Sequence, residues 1–264
     1  MSLGKQIRLN RIFGHKTGRL CSLAVDHLVA YQSGLPEGLR NVPATINLLV
    51  KGKPDAITMY KGMAQNAWGP HAGSIPLIIT SIAFTLDDTT MHQMVRPHEC
   101  IRLGADAISA AIALRSKREG DYLKMLATIV EEAAQYDLPV IAHIYPRDFS
   151  GEPKVVHDPE NILWAVRCGV ELGADVIKVP YTGDVQSFRE IVATSPVPVV
   201  AAGGPKTNTL LESLQFMHGA IEAGARGATI GRTIWGAKDP LSALAAFKRV
   251  IHDDVAPEKA IQSS

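Results

Sequence analysis

The sequence predicts an α/β fold of the (β/α)₈ class, a TIM barrel, as one domain over residues 1–264. Eight short apolar runs alternate with longer segments of helical periodicity. Most runs are apolar at nearly every position, as parallel strands covered by helices are. Glycines close several helical segments directly before the next run, which is typical of a helix-to-strand connection. Eight such units over about 250 residues are typical of this barrel.

The apolar runs give the predicted strands in chain order, and the intervening segments give the helices. The strands are expected at residues 19–27, 54–60, 76–84, 105–113, 138–145, 174–181, 197–204 and 225–232. Apolar residues recur at i, i+3 and i+4 in residues 120–137, 159–173 and 207–224, which predicts helices there. A short helix is also expected at the N-terminus. Residues 28–45 and 146–158 are rich in proline and glycine and are predicted to be long loops.

A short phrase marks three of the helix-to-strand connections. Gly-Ala-Asp occurs at 104–106 and again at 173–175, and Gly-Ala-Arg occurs at 224–226. The repeated joint is consistent with repeated βα units and does not require a gene duplication.

A doubly wound open sheet is the alternative fold. It would need a glycine-rich G-x-G-x-x-G turn after the first strand. The first run instead ends in Ala-Val-Asp-His at residues 24–27, without that turn. No change of composition marks a second domain, so the barrel is favoured.

The composition excludes several classes of partner. The net charge is +1 and only 6% of residues are aromatic, so neither nucleic acid nor an anionic membrane is an expected partner. No apolar run approaches the roughly 18 residues of a membrane span, and the first residues lack a signal core. The three cysteines are far apart and odd in number, which predicts reduced, buried thiols. We therefore expect a cytoplasmic protein.

Polar residues at the C-terminal ends of the strands are the candidate site residues, because active sites of such barrels lie there. They are Asp26, His27, Tyr60, Lys61, Ser81, Thr85, His143, Tyr145, Arg147, Lys178, Tyr181, Asp184, Gly203, Gly204, Lys206, Gly231 and Arg232. A lysine, carboxylates, a phenol and two glycine-bearing loops are the parts of an enzyme that binds a carbonyl compound as an imine.

Lys178 interrupts the apolar run 174–181. Burial and nearby cations favour the neutral amine of a lysine, which can attack a ketone to form a Schiff base. A structural ion pair with Asp26 or Asp184 is the alternative for Lys178. Tyr145 could transfer a proton beside the imine or could simply pack at the barrel mouth. Asp26 could orient Lys178, bind a substrate hydroxyl, assist proton transfer or form an ion pair at the mouth.

Two glycine-bearing loops predict a phosphate site. Gly203 and Gly204 end the seventh strand, and Gly231 and Arg232 end the eighth. Backbone N–H groups in such loops, together with a following helix N-terminus, bind anions, and this is the usual phosphate position of the fold. The remaining predicted contacts to a phosphorylated sugar or keto substrate are His27, Arg147 and Lys61. The histidines show no metal-binding spacing, so neither a metal nor another cofactor is expected.

Five stretches carry a resemblance to a known family. They are LAVDH (23–27), IYPRD (144–148), GADVIKVPYTGD (173–184), VVAAGGPKT (199–207) and GATIGRTIW (227–235). In this order and spacing the sequence resembles the archaeal-type class I fructose-bisphosphate aldolases of the DeoC/LacD aldolase family. The resemblance implies Lys178 as the Schiff-base lysine, Tyr145 as the acid/base and Asp26 as its partner. It also implies phosphate binding by both loops, no metal, and a homo-oligomer, typically a decamer.

The sequence departs from the fructose-bisphosphate enzymes near the distal part of the pocket. Leu28 stands where the family has glycine after Asp-His, and Lys61 stands where another polar residue is more usual. The leading interpretation is a class I aldolase acting on a phosphorylated ketose. One alternative is a Schiff-base transferase, similar to the autoinducer-2 processing thiolase or the transaldol-type amino-deoxy-heptulosonate synthases. Another is a non-catalytic barrel that binds sugar phosphates.

Overall fold

The computed structural model describes residues 1–27, 34–205 and 207–262. Its strands are β1 (Leu20–Ala24), β2 (Ala56–Met59), β3 (Leu77–Thr80), β4 (Ile82–Phe84), β5 (Met91–Gln93), β6 (Ala107–Leu114), β7 (Val140–Asp148), β8 (Lys154–Val155), β9 (Val176–Val179), β10 (Val199–Ala202) and β11 (Gly227–Ile230). Eight of them pair in parallel in the order β1, β2, β3, β6, β7, β9, β10 and β11, and β11 returns to β1. The predicted (β/α)₈ barrel is confirmed.

Helices connect the barrel strands and cover them. They are α1 (Leu3–Ile12), α2 (Val42–Leu49), α3 (Lys61–Ala67), α4 (Pro97–Arg102), α5 (Glu119–Ala134), α6 (Pro159–Glu171), α7 (Val185–Ala193), α8 (Leu210–Glu222), α9 (Arg232–Trp235), α10 (Pro240–Asp253) and α11 (Pro257–Gln262). Single 3₁₀ turns lie at Glu37–Leu39, Val50–Gly52 and Gly69–His71. Gly104, Gly173 and Gly224 all have positive φ after a helix, as the sequence predicts for this connection.

The prediction of a single third strand over residues 76–84 is wrong in its extent, because the chain leaves the barrel at Ser81. The Ser81 N–H still donates to Ser109 O, at 2.8 Å, but the Ser81 carbonyl accepts from Met94 N, at 2.6 Å. The next residues form β4, which pairs antiparallel with β5 outside the barrel. A continuous apolar run therefore contains two strands that belong to different sheets.

The two predicted long loops are also partly regular. Residues 28–33 lie outside the described residues, but α2 begins at Val42 within the first predicted loop. In the second, β7 continues to Asp148 and β8 returns antiparallel to it, with Arg147 opposite Val155. Proline and glycine are compatible with both elements, since Pro43 lies in the first turn of α2 and β8 is an edge strand.

The lower end of the barrel is closed by α1. Alternate residues of each barrel strand face the interior. The lowest interior layer is a cluster of fully buried apolar residues with Leu9 and Phe13 packed against it: Ile12, Leu20, Ala56, Ile78, Ala107, Ile141, Val176 and Val200. Helix α1 therefore covers the N-terminal end of the barrel, and the opposite, C-terminal end remains accessible.

The aspartates of the two Gly-Ala-Asp connections hold α1 against the barrel. Asp106 Oδ2 accepts from Leu77 N at 3.2 Å, and Asp106 Oδ1 lies 3.2 Å from Arg11 Nη1. Asp175 Oδ2 accepts from Val140 N at 2.9 Å, and Asp175 Oδ1 lies 3.0 Å from Lys5 Nζ. Each carboxylate thus satisfies the first N–H of a neighbouring strand and binds a cation of α1, which gives the joint a structural role.

Two compositional expectations can be compared with the structure. Cys21, Cys100 and Cys168 are free and buried, as predicted. Within the described ranges, every helix is too short or too polar to traverse a lipid bilayer.

Candidate active site

A cavity of about 1190 Å³ opens at the C-terminal ends of the barrel strands. Of the residues with a predicted catalytic or substrate-binding role, all except Lys61 line it: Asp26, His27, Tyr145, Arg147, Lys178, Gly203, Gly204, Gly231 and Arg232. The wider candidates Tyr60 and His143 also line it, whereas Ser81, Thr85, Tyr181 and Asp184 do not. Barrel closure places residues from both ends of the chain around one space, because the carboxyl ends of all parallel strands meet at the same face.

Lys178 lies within β9 and points into the barrel. It is 5% exposed and stands in register with His143 of β7 and Val200 of β10. Its Nζ is 6.0 Å from the centroid of the Tyr145 ring. Tyr145 follows His143 by two residues, so both side chains project from β7 toward the same interior as Lys178. The amine and the phenol are therefore neighbours inside the cavity.

Tyr145 carries a neutral phenol at physiological pH. Burial raises the pKa of Tyr145, and the negative charge of Asp26 raises it further, while Arg147 and Arg232 act in the opposite direction. A neutral phenol can donate a proton to a developing alkoxide. The site therefore contains a protonated acid whose ring centroid lies 6.0 Å from Lys178 Nζ.

Asp26 follows β1, and each of its carboxylate oxygens has a described neighbour. Oδ2 accepts a hydrogen bond from Thr80 Oγ1 at 2.5 Å. Oδ1 lies 3.6 Å from His27 Nδ1. The carboxylate is thus held between β3 and the residue that follows it in the chain, facing the cavity.

His27 is uncharged at neutral pH. Burial, followed by the charges of Lys178 and Arg232, lowers the pKa of His27 to about 4, although Asp26 opposes the shift. Its ring packs edge-on against Trp235 at a centroid distance of 5.4 Å, and Trp235 Nε1 donates to Ala24 O at 3.0 Å. A phosphate contact from His27 would therefore be a neutral hydrogen bond and not an ion pair.

The two predicted phosphate loops lie side by side because β10 pairs with β11. Gly204 has φ +86°, and a Cβ there would lie 2.9 Å from Phe216 Cδ1. A Cβ on Gly231 would lie 2.4 Å from His27 Cε1. Both positions therefore require glycine, and Arg232 follows as the exposed first residue of α9. The third predicted residue of the first loop, Lys206, lies outside the described residues.

Arg147 forms part of the cavity wall and is 8% exposed. Its guanidinium carbon lies 4.7 Å above the centroid of the Phe84 ring, and its Nη1 donates to Leu86 O at 3.1 Å. A stacked, planar guanidinium is a suitable group for a carboxylate or a phosphate.

Some of the candidates lie away from this arrangement. Lys61 begins α3, and its Nζ is 2.9 Å from Glu99 Oε1, with the Lys61 side chain 40% exposed. Asp184 caps α7, where its Oδ1 accepts from Ser187 N at 2.8 Å, and Tyr181 packs between Phe188 and Phe216. The predicted substrate contact of Lys61 stays a prediction that the cavity lining does not favour.

The barrel interior contains a polar layer of which the sequence analysis identified only His143 and Lys178. Its members are Ser22, Thr58, Thr80, Ser109, His143 and Lys178, all buried. Each lies two residues after a member of the lower apolar layer, so the period of two along each strand could have found it. Burial lowers the pKa of His143, with Lys178 and His27 adding to the shift, so that residue is neutral. Within the described ranges, no group of three or more His, Cys, Asp or Glu is arranged to hold a metal ion.

The model of the DeoC/LacD family aldolases matches residues 20–237 of this chain. The chain belongs to the DeoC/LacD aldolase family. It is a class I aldolase, a carbon–carbon lyase of the Schiff-base type, as the resemblance implies.

Relatives of this aldolase are similar along nearly their whole length. It is 35% identical over 261 residues, 98% of this chain and 95% of the relative, to a 2-amino-3,7-dideoxy-D-threo-hept-6-ulosonate synthase of Halobacterium salinarum. It is 29% identical over 254 residues, 94% and 90% of the two chains, to a 2-amino-4,5-dihydroxy-6-oxo-7-(phosphonooxy)heptanoate synthase of Streptomyces griseus.

Solved structures agree with this assignment. An archaeal fructose 1,6-bisphosphate aldolase superposes with a TM-score of 0.81 at 30% identity, covering 94% of this chain and 99% of the other. Another archaeal fructose-1,6-bisphosphate aldolase structure, whose catalytic lysine is covalently bound to the carbinolamine intermediate, gives 0.80 at 29% identity, with 94% and 99% covered. The aldolase thus shares its barrel with enzymes that form a covalent intermediate through a lysine.

Proposed function

We propose that Lys178 forms the Schiff base and that the aldolase makes or breaks a C–C bond in a phosphorylated ketose. The observation that carries this proposal is the enclosure of Lys178, Tyr145 and Asp26 in one cavity that also contains two glycine-bearing loops. The same barrel interior supplies the amine, the acid and the carboxylate.

The proposed reaction begins with the Lys178 amine, which attacks the ketone carbon of the donor. The carbinolamine takes a proton from solvent and loses water to give an iminium ion, and transfer of a proton from the adjacent carbon to the Asp26 carboxylate gives an enamine. The enamine carbon attacks an aldehyde, whose oxygen takes the phenolic proton of Tyr145. The protonated Asp26 then returns its proton to Tyr145, and water hydrolyses the product iminium ion, which releases the product, the free amine and a proton to solvent.

The loops after β10 and β11 hold the phosphate of the donor in this proposal. Gly203, Gly204 and Gly231 allow the backbone to approach an anion closely, and Arg232 adds a charge at the cavity mouth. Neutral His27 contributes a hydrogen bond.

A transaldol-type transfer is the second candidate, and Arg147 favours it. The names of two relatives denote an amino-ulosonate and an amino-heptanoate, both of which are carboxylates. The guanidinium of Arg147 in the cavity wall could pair with such a carboxylate through two hydrogen bonds. In this candidate the imine step at Lys178 is unchanged and only the acceptor differs.

Borohydride trapping tests the imine. Wild-type protein is incubated with individual ketose phosphates and borohydride, and the peptide that contains Lys178 is weighed by mass spectrometry. We expect a mass increase there, its loss in Lys178→Met, and its retention in Lys51→Met, an exposed lysine of the turn Val50–Gly52. Tyr145→Phe should be trapped but should turn over about 100-fold or more slowly. Full activity of Lys178→Met would refute the proposal.

We also propose a cytoplasmic homo-oligomer, which the family resemblance implies to be a decamer. The free thiols support the compartment. Leu163 and Trp164 of α6, each 40% exposed, support a subunit contact on that face. Light scattering after gel filtration measures the mass, and a monomer would contradict the assembly.

A further inference from the structure

The hydrogen bond between Thr80 and Asp26 crosses the barrel interior. Thr80 is the last residue of β3, whereas Asp26 follows β1, and β2 lies between these two strands. The Thr80 side chain is buried, at 2% exposure, and lines the cavity. Its hydroxyl donates to Asp26 Oδ2 at 2.5 Å. A hydrogen bond of this length from a buried hydroxyl to a carboxylate belongs to the strong class.

Ser109 extends this hydrogen bond into a chain. Ser109 of β6 is fully buried and in register with Thr80, and its hydroxyl donates to Thr80 Oγ1 at 3.3 Å. The Asp26 carboxylate accepts, so Thr80 gives it the single hydroxyl hydrogen and uses its own oxygen to accept from Ser109. The three side chains form a directed chain that ends on the carboxylate.

The other oxygen of Asp26 has a different environment. Oδ1 faces His27 at 3.6 Å, and the low pKa of His27 means that this ring is neutral. The contact between Oδ1 and His27 is also longer than a normal hydrogen bond. The donated hydrogen bond from Thr80 is therefore the short contact that sets the rotation of the Asp26 carboxylate.

We propose that Thr80, supported by Ser109, is a positioning residue for the aldolase reaction. It holds the Asp26 carboxylate in one orientation at the cavity wall, from which the carboxylate assists proton transfer. This inference rests on the role proposed above for Asp26. Without the donor, the carboxylate rotates about its side-chain bonds and is misaligned in a larger fraction of enzyme molecules.

The test compares Thr80→Val with Thr80→Ser. Valine keeps the shape of threonine but removes the donor, and serine keeps the donor. For Thr80→Val we expect kcat to fall by about 10- to 100-fold, while KM changes by less than about 3-fold, since the phosphate loops are untouched. Borohydride trapping at Lys178 should persist. Thr80→Ser should restore kcat to within about 3-fold of wild type.

Thr58→Val is the matched control. Thr58 of β2 is fully buried in the same polar layer, is not part of the cavity lining, and its hydroxyl makes no hydrogen bond with the described residues. This variant should keep wild-type kcat. If the Thr80 hydroxyl served only the stability of the fold, Thr80→Val would lower the melting temperature with little change in kcat, and that outcome would overturn the positioning role.

A double-mutant cycle with Asp26→Ala completes the design. If Thr80 acts through Asp26, Thr80→Val should cost less than about 2-fold in kcat once Asp26 is alanine. Full activity of Thr80→Val while Asp26→Ala is inactive would overturn the Thr80 inference alone. Full activity of Asp26→Ala would overturn the role proposed for Asp26, and that of Thr80 with it. Equal impairment of Thr80→Ser and Thr80→Val would also overturn the positioning role.

Discussion

Replacing Gly231 with alanine should damage the substrate site without unfolding the barrel. The new Cβ would lie 2.4 Å from His27 Cε1, 2.9 Å from His27 Nε2 and 3.0 Å from Ala24 O, whereas ordinary contacts begin at 3.4 Å. His27 must therefore move by about 1 Å. Its ring is confined by Trp235, at 5.4 Å, and by Asp26. The displacement thus reaches both the phosphate loop and the proposed catalytic carboxylate.

The expected magnitude follows from this displacement. A 1 Å error in positioning costs about 100-fold in rate, so kcat/KM of Gly231→Ala for the phosphorylated ketose should fall by about that factor. Steady-state kinetics of C–C cleavage, with circular dichroism as a check of folding, measures it. Gly120→Ala is the control, since a Cβ there has no neighbour within 4 Å in α5. Wild-type kcat/KM in Gly231→Ala would refute the steric reasoning and the placement of substrate beside this loop.

Two further predictions concern stability. Asp175→Asn keeps an acceptor for Val140 N–H but removes the charge that pairs with Lys5. The side chains of Asp175 and Lys5 are both less than one-fifth exposed. We therefore expect the free energy of unfolding, measured by urea denaturation, to fall by about 1–3 kcal/mol. Because folding lowers the pKa of His27 from 6.5 to about 4, the unfolded state takes up the proton first as pH falls. The contribution of His27 to the free energy of unfolding is therefore constant above pH 6.5 and falls by up to about 3 kcal/mol as the pH is lowered toward 4. The free energy of unfolding of His27→Gln should fall by less than that of the wild type between pH 7 and pH 4.

Each stability prediction has a matched comparison. Arg167→Gln breaks the exposed pair with Glu171, whose side chains are 69% and 59% exposed, and should cost less than about 0.5 kcal/mol. If Asp175→Asn lowers the free energy of unfolding by no more than Arg167→Gln does, the Asp175 carboxylate does not hold α1 against the barrel. His92→Gln changes an exposed histidine and should keep the acid sensitivity of the wild type. Equal acid sensitivity in His27→Gln would contradict the assignment to His27.

The strands and most of the site residues were predictable because their signals are local. Apolar runs bounded by glycine mark the barrel strands, and the stretch 173–184 marks Lys178 within one of them. The break at Ser81 was not predictable, because it depends on a hydrogen bond from Met94 that forms only once β5 has folded back. The pairing of Lys61 with Glu99 depends in the same way on α3 and α4 lying side by side.

The sequence by itself determined the fold class, the family resemblance and the residue types available at the strand ends, since periodicity and motif spacing are properties of neighbouring residues. Only the tertiary structure decided which of those side chains meet. Barrel closure brings Thr80 onto Asp26 across β2 and packs Trp235 against His27. It also removes water from His27 and Tyr145, and that desolvation shifts their pKa values in opposite directions. Such contacts depend on strand register and closure, which a one-dimensional pattern of residues does not contain.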